Sequence, residues 1–284
     1  MKGKKIRIAL TILFAAVFCV SAGMVLSIWL RGEREEAAFD ELAAIVHGTS
    51  AVSGGTGASS FVQSGGDAPA AESAAESALQ SGAEEPADEP EPGLAALTAM
   101  NPDCFGWLEI PGTGVDYPVM FTPEDPEHYL RRAFDGSWAQ SGVPFLDGSW
   151  TPEGKQYIIY GHNMDNGTMF APLLRYADAD FCREHPVLVL ETIYEASAEY
   201  EIFAAFRSKA YDVDDEGVFR YYRYTNLSAQ EDFESFVSQC LAASLYDFGV
   251  TPQYGDTIVT LSTCSYHTDE GRFVVAARRA GQEE

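Results

Sequence analysis

The chain has 284 residues, 46% of them hydrophobic, and a formal charge of −25 at pH 7. This length accommodates one or two ordinary domains. No Lys/Arg cluster follows the first few residues, which excludes nucleic-acid binding, because phosphate recognition needs a concentrated basic surface.

Residues 1–7 carry Lys2, Lys4, Lys5 and Arg7, and an uncharged stretch then runs from Ile8 to Leu30. At about 1.5 Å per helical residue, such a stretch matches a hydrocarbon core of about 30 Å. The positive charge on its N-terminal side predicts residues 1–7 in the cytoplasm, 8–30 as a single membrane span and everything beyond Leu30 outside the cell. A cleaved signal peptide is the competing reading, since Val20-Ser21-Ala22 resembles a cleavage site. Apolar residues continue past Ala22, which favours an uncleaved anchor.

Residues 31–48 follow, with Phe39, Leu42, Ala43 and Val46 at helical spacing, and predict a juxtamembrane helix. Residues 49–92 are rich in Ala, Ser, Gly, Glu and Pro and end in the acidic run Glu84–Glu91. They offer too little apolar surface to offset the entropy of ordering, so a disordered stalk is expected. Part of the negative charge lies there, which weakens any functional reading of the total.

From residue 93 to 284 the pattern is that of a folded domain. Strands are expected at Phe105–Ile110, Val115–Met120, Val143–Asp147, Gln156–Tyr160, Val187–Glu191, Tyr200–Phe206, Thr257–Thr263 and Arg272–Ala277. Helices are expected at Leu94–Met100, Met169–Tyr176 and Ser228–Tyr246, the last with Phe233, Phe236, Val237, Cys240, Leu241 and Leu245 on one face. Many strands with a few inserted helices predict a mainly β fold, a closed or nearly closed barrel of about eight strands with helical decoration.

Two segments carry candidate chemistry. Thr257–Leu261 is a buried-type strand that runs through Ser262 and Thr263 into Cys264, followed by a polar turn and, eight positions on, Arg272. A thiol at the mouth of a strand is held rigidly yet reaches solvent. A cation beside it favours thiolate and can hold charge on a carbonyl oxygen during acyl transfer. The second segment is Tyr157-Ile158-Ile159-Tyr160-Gly161-His162-Asn163-Met164, a strand ending in a histidine suited to proton transfer near neutrality. His267 competes for that role by its nearness to Cys264. Of the other thiols, Cys240 has the spacing of a helix core, Cys19 lies in the apolar stretch, and Cys104 and Cys182 have no basic neighbour in sequence. Five widely spaced cysteines with no Cys/His ligand pattern predict neither a disulfide scaffold nor a zinc site.

The run Thr260-Leu261-Ser262-Thr263-Cys264 with Arg272 resembles the sortase signature, and Gly161-His162-Asn163-Met164 resembles the class B sortase histidine motif. Asn101-Pro102-Asp103, Gly106–Thr113, Asp116-Tyr117-Pro118-Val119 and Phe170–Tyr176 resemble further class B segments in the same order. One departure is Asp125-Pro126-Glu127-His128-Tyr129-Leu130, where relatives often carry Asp-Asn ahead of the Tyr-Leu pair.

The resemblance implies a sortase-type barrel with N-terminal helices and a long helix between late strands. It also implies a cysteine transpeptidase with Cys264 as nucleophile, His162 as acid/base and Arg272 as oxyanion stabiliser. Ser262, Thr263, Asn163 and Tyr160 are the implied substrate-binding residues. The implied partners are secreted proteins with C-terminal sorting signals, the amine of a lipid-linked peptidoglycan precursor, and the membrane that holds the anchor; no metal or organic cofactor is implied. A pilin-polymerising sortase with a lysine acceptor, a surface cysteine hydrolase and a non-enzymatic domain on a sortase fold are the alternatives.

Overall fold

A computed structural model describes residues 2–48 and 92–279. The expected stalk, apart from Pro92, lies outside the described residues.

The anchor stretch and the juxtamembrane segment form one unbroken helix, α1 (Lys2–Val46). No proline interrupts it, and its three glycines, Gly3, Gly23 and Gly32, are widely spaced. It contains a stretch long and apolar enough to cross a membrane, with a mean hydropathy of 2.3. Along that stretch large apolar side chains such as Phe14, Phe18 and Met24 face outward. The last turns behave differently. Phe39 and Leu42 are buried in the same core as the barrel, and the Phe39 ring meets Tyr117 edge-on with centroids 5.1 Å apart. Just beyond the helix, His47 Nε2 lies 3.1 Å from Asp116, whose other oxygen accepts from the Trp107 indole N–H at 2.6 Å.

The short helix α2 (Pro92–Met100) buries Leu94 and Leu97 against α1 and the barrel. Eight strands follow: β1 (Cys104–Ile110), β2 (Val115–Met120), β3 (Phe145–Leu146), β4 (Gln156–Tyr160), β5 (Val187–Thr192), β6 (Ala198–Lys209), β7 (Thr257–Cys264) and β8 (Gly271–Arg279). Their order is β1-β2-β3-β4-β7-β8-β6-β5, closed by the pairing of β5 with β1, so no sheet edge is left open. All eight lie where alternation and turn residues predicted strands. β3 is shorter than expected because Pro144 has no N–H for the ladder and offers only its carbonyl, to the Met120 N–H.

Pairing is antiparallel except at β2–β3 and β4–β7. The parallel β4–β7 register sets Tyr160 beside Ser262. A parallel pair needs a long crossover. Residues 161–256 supply it, carrying a 3-10 segment (Ala171–Ala177), helix α3 (Ala179–Glu184), β5, β6 and helix α4 (Gln230–Ala243).

The barrel interior holds Leu108, Ile110, Val119, Ile159, Val259, Leu261, Phe273 and Val275. A second core lies on the outer face of β6, β7 and β8, where Phe203, Phe206, Ile258 and Val274 meet Tyr221, Leu227 and the Phe233, Phe236 and Cys240 face of α4. Burial on both faces explains why β7 and β8 read as continuous apolar runs and not as alternation. Leu241 and Leu245, expected on the buried face of α4, are exposed. Leu241 falls at the margin of the apolar stripe. Leu245 lies beyond the last helical residue, where its backbone N–H bonds Ala205 O of β6.

Because Phe39 is a core residue, Phe39→Ala should cost about 3 kcal/mol. In a fragment beginning at Gly32, that lowers the melting temperature by roughly 10 °C. A shift within 2 °C or so would show that the end of α1 does not pack on the barrel. A fragment beginning at Gly93, which lacks the whole helix, should be less stable than the point variant.

Candidate active site

Four of the five thiols are set apart by their surroundings. Burial pushes Cys104 to about 12 and Cys182 to about 11, and raises fully buried Cys240 as well, so all three stay protonated and inert at neutral pH. Cys19 lies on the exposed apolar stretch of α1. Cys264, the last residue of β7, is half-buried.

Cys264 and Arg272 are direct cross-strand partners in β7 and β8. Directly opposed side chains in an antiparallel pair leave the same face with Cβ atoms about 5 Å apart. That face is the outer one, above Ser262 and Val274 and under Tyr221. The Arg272 guanidinium turns back on its own strand entry, donating to the carbonyls of Glu270 and Gly271 at 3.2 and 3.1 Å. It lies 3.9 Å from the exposed Glu270 carboxylate. The turn between the strands is tight. Ser265 N–H bonds Gly271 O, and a Cβ on Gly271 would collide with the Ser265 carbonyl.

His162 follows β4, whose parallel pairing with β7 delivers it to the same rim. The pairing continues past the strand ends. Gly161 N–H bonds Ser262 O at 3.1 Å, Thr263 Oγ1 donates to Gly161 O at 2.8 Å, and Asn163 Nδ2 donates to Cys264 O at 3.1 Å. A side chain at Gly161 would meet the Phe170 ring at 2.7 Å, so glycine is what lets this turn close over the core. His162 Nε2 lies 2.8 Å from Leu130 O, and a carbonyl only accepts, so Nε2 carries the proton. Burial lowers the His162 pKa below the ordinary imidazole value. The bond to Leu130 works against that, and the nearby Arg131 guanidinium adds to it.

The other histidines stand elsewhere. His47 meets Asp116, His128 meets Asp125, and His185 Nδ1 bonds Pro111 O. His267, the competitor by sequence, lies exposed in the β7–β8 turn with Nδ1 3.0 Å from Ser265 Oγ.

The expected substrate-binding side chains are engaged within the protein. Ser262 Oγ and the Tyr221 hydroxyl are 2.7 Å apart and both buried, and Thr263 Oγ1 holds the Gly161 carbonyl. Tyr160 donates its hydroxyl to Asp147 at 3.0 Å, and Asn163 ties the His162 turn to Cys264. Tyr221, which the sequence reading did not single out, covers Ser262, two residues before the thiol. Burial pushes its phenol to about 12, so it remains a neutral hydrogen-bonding group. The Leu130 carbonyl was missed too, since a backbone acceptor has no signature in side-chain identity. Among the described residues one metal-like group occurs, His47, Glu109 and Asp116, with ligand atoms within 4.8 Å of one another. The His47–Asp116 contact described above already occupies two of its members.

A half-buried thiol in register with Arg272, at the rim to which β4 leads an imidazole whose protonated nitrogen is pinned, suits nucleophilic attack on a carbonyl with proton transfer. The Sortase domain family pattern matches residues 108–280. Sortase B of Listeria monocytogenes is 35% identical over 189 residues, 65% of this chain and 73% of its own length. A Staphylococcus aureus sortase B–substrate complex shares the fold, with a TM-score of 0.67 at 20% identity over 89% of this chain and 100% of that one. A sortase B complexed with Gly3 aligns with a TM-score of 0.59 at 26% identity, covering 68% and 87% of the two chains.

The low His162 pKa has a signed consequence. The unfolded chain binds this proton at about pH 6.5, more readily than the folded chain. The contribution of His162 to stability is therefore complete above about pH 6.5 and declines as pH falls through the lower folded value. Urea unfolding from pH 7.5 to 4.5 should show a steeper acid loss in the parent than in His162→Asn; equal slopes would mean that the imidazole is not desolvated. The signature segments, the eight-stranded barrel and the matches to known proteins converge on one assignment: this chain belongs to the sortase family and is an enzyme of its class B.

Proposed function

We propose that this enzyme is a membrane-anchored transpeptidase. It cleaves a C-terminal sorting motif after threonine and transfers the protein to an amine of a peptidoglycan precursor. The observation that carries the reading is the in-register pair Cys264–Arg272 at the rim where β4 delivers His162. Membership of class B supports the reaction type, and relatives solved with a substrate and with Gly3 support a peptide donor and an amine acceptor.

In this mechanism the Cys264 sulfur attacks the threonine carbonyl carbon, and the thiol proton passes to His162. With Nε2 bonded to Leu130, Nδ1 is the nitrogen that exchanges it. Negative charge builds on the carbonyl oxygen. Arg272 swings from the Glu270 and Gly271 carbonyls to meet it, an exchange of neutral acceptors for an anion that favours the transition state. The C–N bond then breaks, His162 gives its proton to the leaving amine, and a thioester remains on Cys264. The acceptor amine reverses the sequence: it loses a proton to His162, attacks the thioester carbonyl and expels the thiolate. Tyr160, Asn163, Ser262 and Thr263 act mainly by holding the two strand ends in register, and what they offer a peptide is the rim they shape. The helix α1 keeps the enzyme at the membrane face where an exported protein and a lipid-linked acceptor meet, with the N-terminus in the cytoplasm.

The test is incubation of the enzyme with peptides carrying Asn-Pro-x-Thr or Ser-Pro-x-Thr motifs, with and without triglycine, followed by mass spectrometry. A thioacyl adduct on Cys264 and an amine-dependent ligation product are expected, both abolished in Cys264→Ala. Arg272→Lys should retain the adduct site while turnover falls about 100- to 1000-fold. Cleavage with water as the only acceptor would replace this reading with that of a surface cysteine hydrolase.

A further inference from the structure

A residue of the N-terminal helix reaches into the support of the catalytic histidine. Glu35 lies on α1 five positions after Leu30, on the side that faces the barrel across a cavity of about 690 Å³. Its carboxylate oxygens accept two consecutive backbone N–H groups, Gln140 to Oε1 and Ser141 to Oε2, each at 3.1 Å. Charge-assisted bonds of this kind are stronger than neutral ones. Two adjacent amides aimed at one carboxylate also form a concave anion seat that fixes the backbone presenting it.

That backbone leads directly to His162. Residues 139–143 run beside 129–131, with Ala139 N–H bonded to Arg131 O, Val143 N–H bonded to Tyr129 O, and Arg131 Nη1 donating to Gln140 O. Gly142, next after Ser141, adopts φ +60 and packs so tightly that a Cβ there would lie 2.5 Å from the Leu130 oxygen. This is the oxygen that holds His162 Nε2. A second line of contact reaches the far side of the same turn. Phe39 of α1 packs on Tyr117, whose hydroxyl accepts the Met169 N–H, and Met169 pairs with Asn163 beside the histidine.

We propose that Glu35 is a positioning residue for His162: seated on the Gln140 and Ser141 amides, it holds the Leu130 carbonyl where it orients the imidazole. Catalytic competence thereby depends on α1 being docked on the barrel. The inference rests on His162 being the acid/base, and its test separates the two claims.

Full-length protein in detergent micelles is compared with Glu35→Gln, which presents a donor NH2 to one of the two amides, and with Glu41→Gln on the exposed side of the same helix. In a Cys264→Ala background with 15N-labelled histidine, the Nε2 resonance of His162 reports its hydrogen bond without any turnover. Glu35→Gln should move that resonance and speed amide exchange at Gln140 and Ser141, with the melting temperature little changed. With Cys264 present, kcat should fall about 10- to 100-fold at constant KM, the signature of misplacement and not of lost binding. Glu41→Gln should leave all four readings alone. Faster amide exchange with an unmoved His162 resonance overturns the proposal, as does a moved resonance with unchanged kcat. A fully active His162→Ala variant would instead sink the acid/base assignment, while the resonance would still decide whether Glu35 orients the ring.

Discussion

The parallel pairing of β4 with β7 is the constraint from which the site follows. Two strands that run the same way end at the same rim, so a motif at the end of each is brought together without any contact between the motifs themselves. Here the pairing runs from Gln156 and Ile258 to Tyr160 and Ser262, and three further hydrogen bonds carry it beyond the strands to Cys264. The antiparallel partner β8 starts where β7 ends and returns Arg272 to the same place. An antiparallel β4–β7 pair would have put the histidine and the thiol at opposite ends of the barrel, about five residues or 17 Å apart.

Burial then sorts the chemistry. Among the described residues the same residue type occurs as three buried thiols with raised pKa values, one exposed on α1 and one at a half-open strand mouth, and of these the last has an arginine as its cross-strand partner. Burial also lowers the pKa of His162, which at neutral pH keeps its ring uncharged next to Arg131.

Much of this was legible in the sequence, for reasons that can be traced residue by residue. The strands were readable because β-branched and aromatic runs end at Gly, Pro and Asp turns. Cys264 and Arg272 were readable as a pair because a short turn forces adjacent antiparallel strands. Which strands pair in parallel was not readable, because a crossover of nearly a hundred residues leaves no local pattern. The helix α4 was placed correctly in its centre and overextended at its end, where Leu245 looks helical in spacing but its N–H is claimed by β6. The hydroxyls of Ser262 and Thr263 appeared as groove-lining groups because they flank the nucleophile, yet both point into hydrogen bonds that brace the rim. The largest omission was the end of α1. Phe39, Leu42, Ala43 and Val46 showed helical spacing, but so short a stripe does not reveal which surface it covers, and the stalk expected after it made a separate helix the natural reading.

That helix joins two environments with opposite demands. From Leu13 to Leu30 large apolar side chains such as Leu13, Phe14, Phe18 and Trp29 face outward, as a membrane requires; from Glu35 to Val46 the demand is for one face that fits a barrel. A flexible hinge between the two would let each half satisfy its own surroundings, whereas a continuous helix couples them in both rise and rotation. Between Leu30 and Glu35 the rise is about 7.5 Å and the rotation about 500°, so the depth of the apolar stretch dictates the height of the barrel and which side of it turns inward. The short helix α2 packs on α1 as well as on the barrel, so it is the connection through the last turns of α1 that determines where the rim with Cys264 stands relative to the apolar stretch.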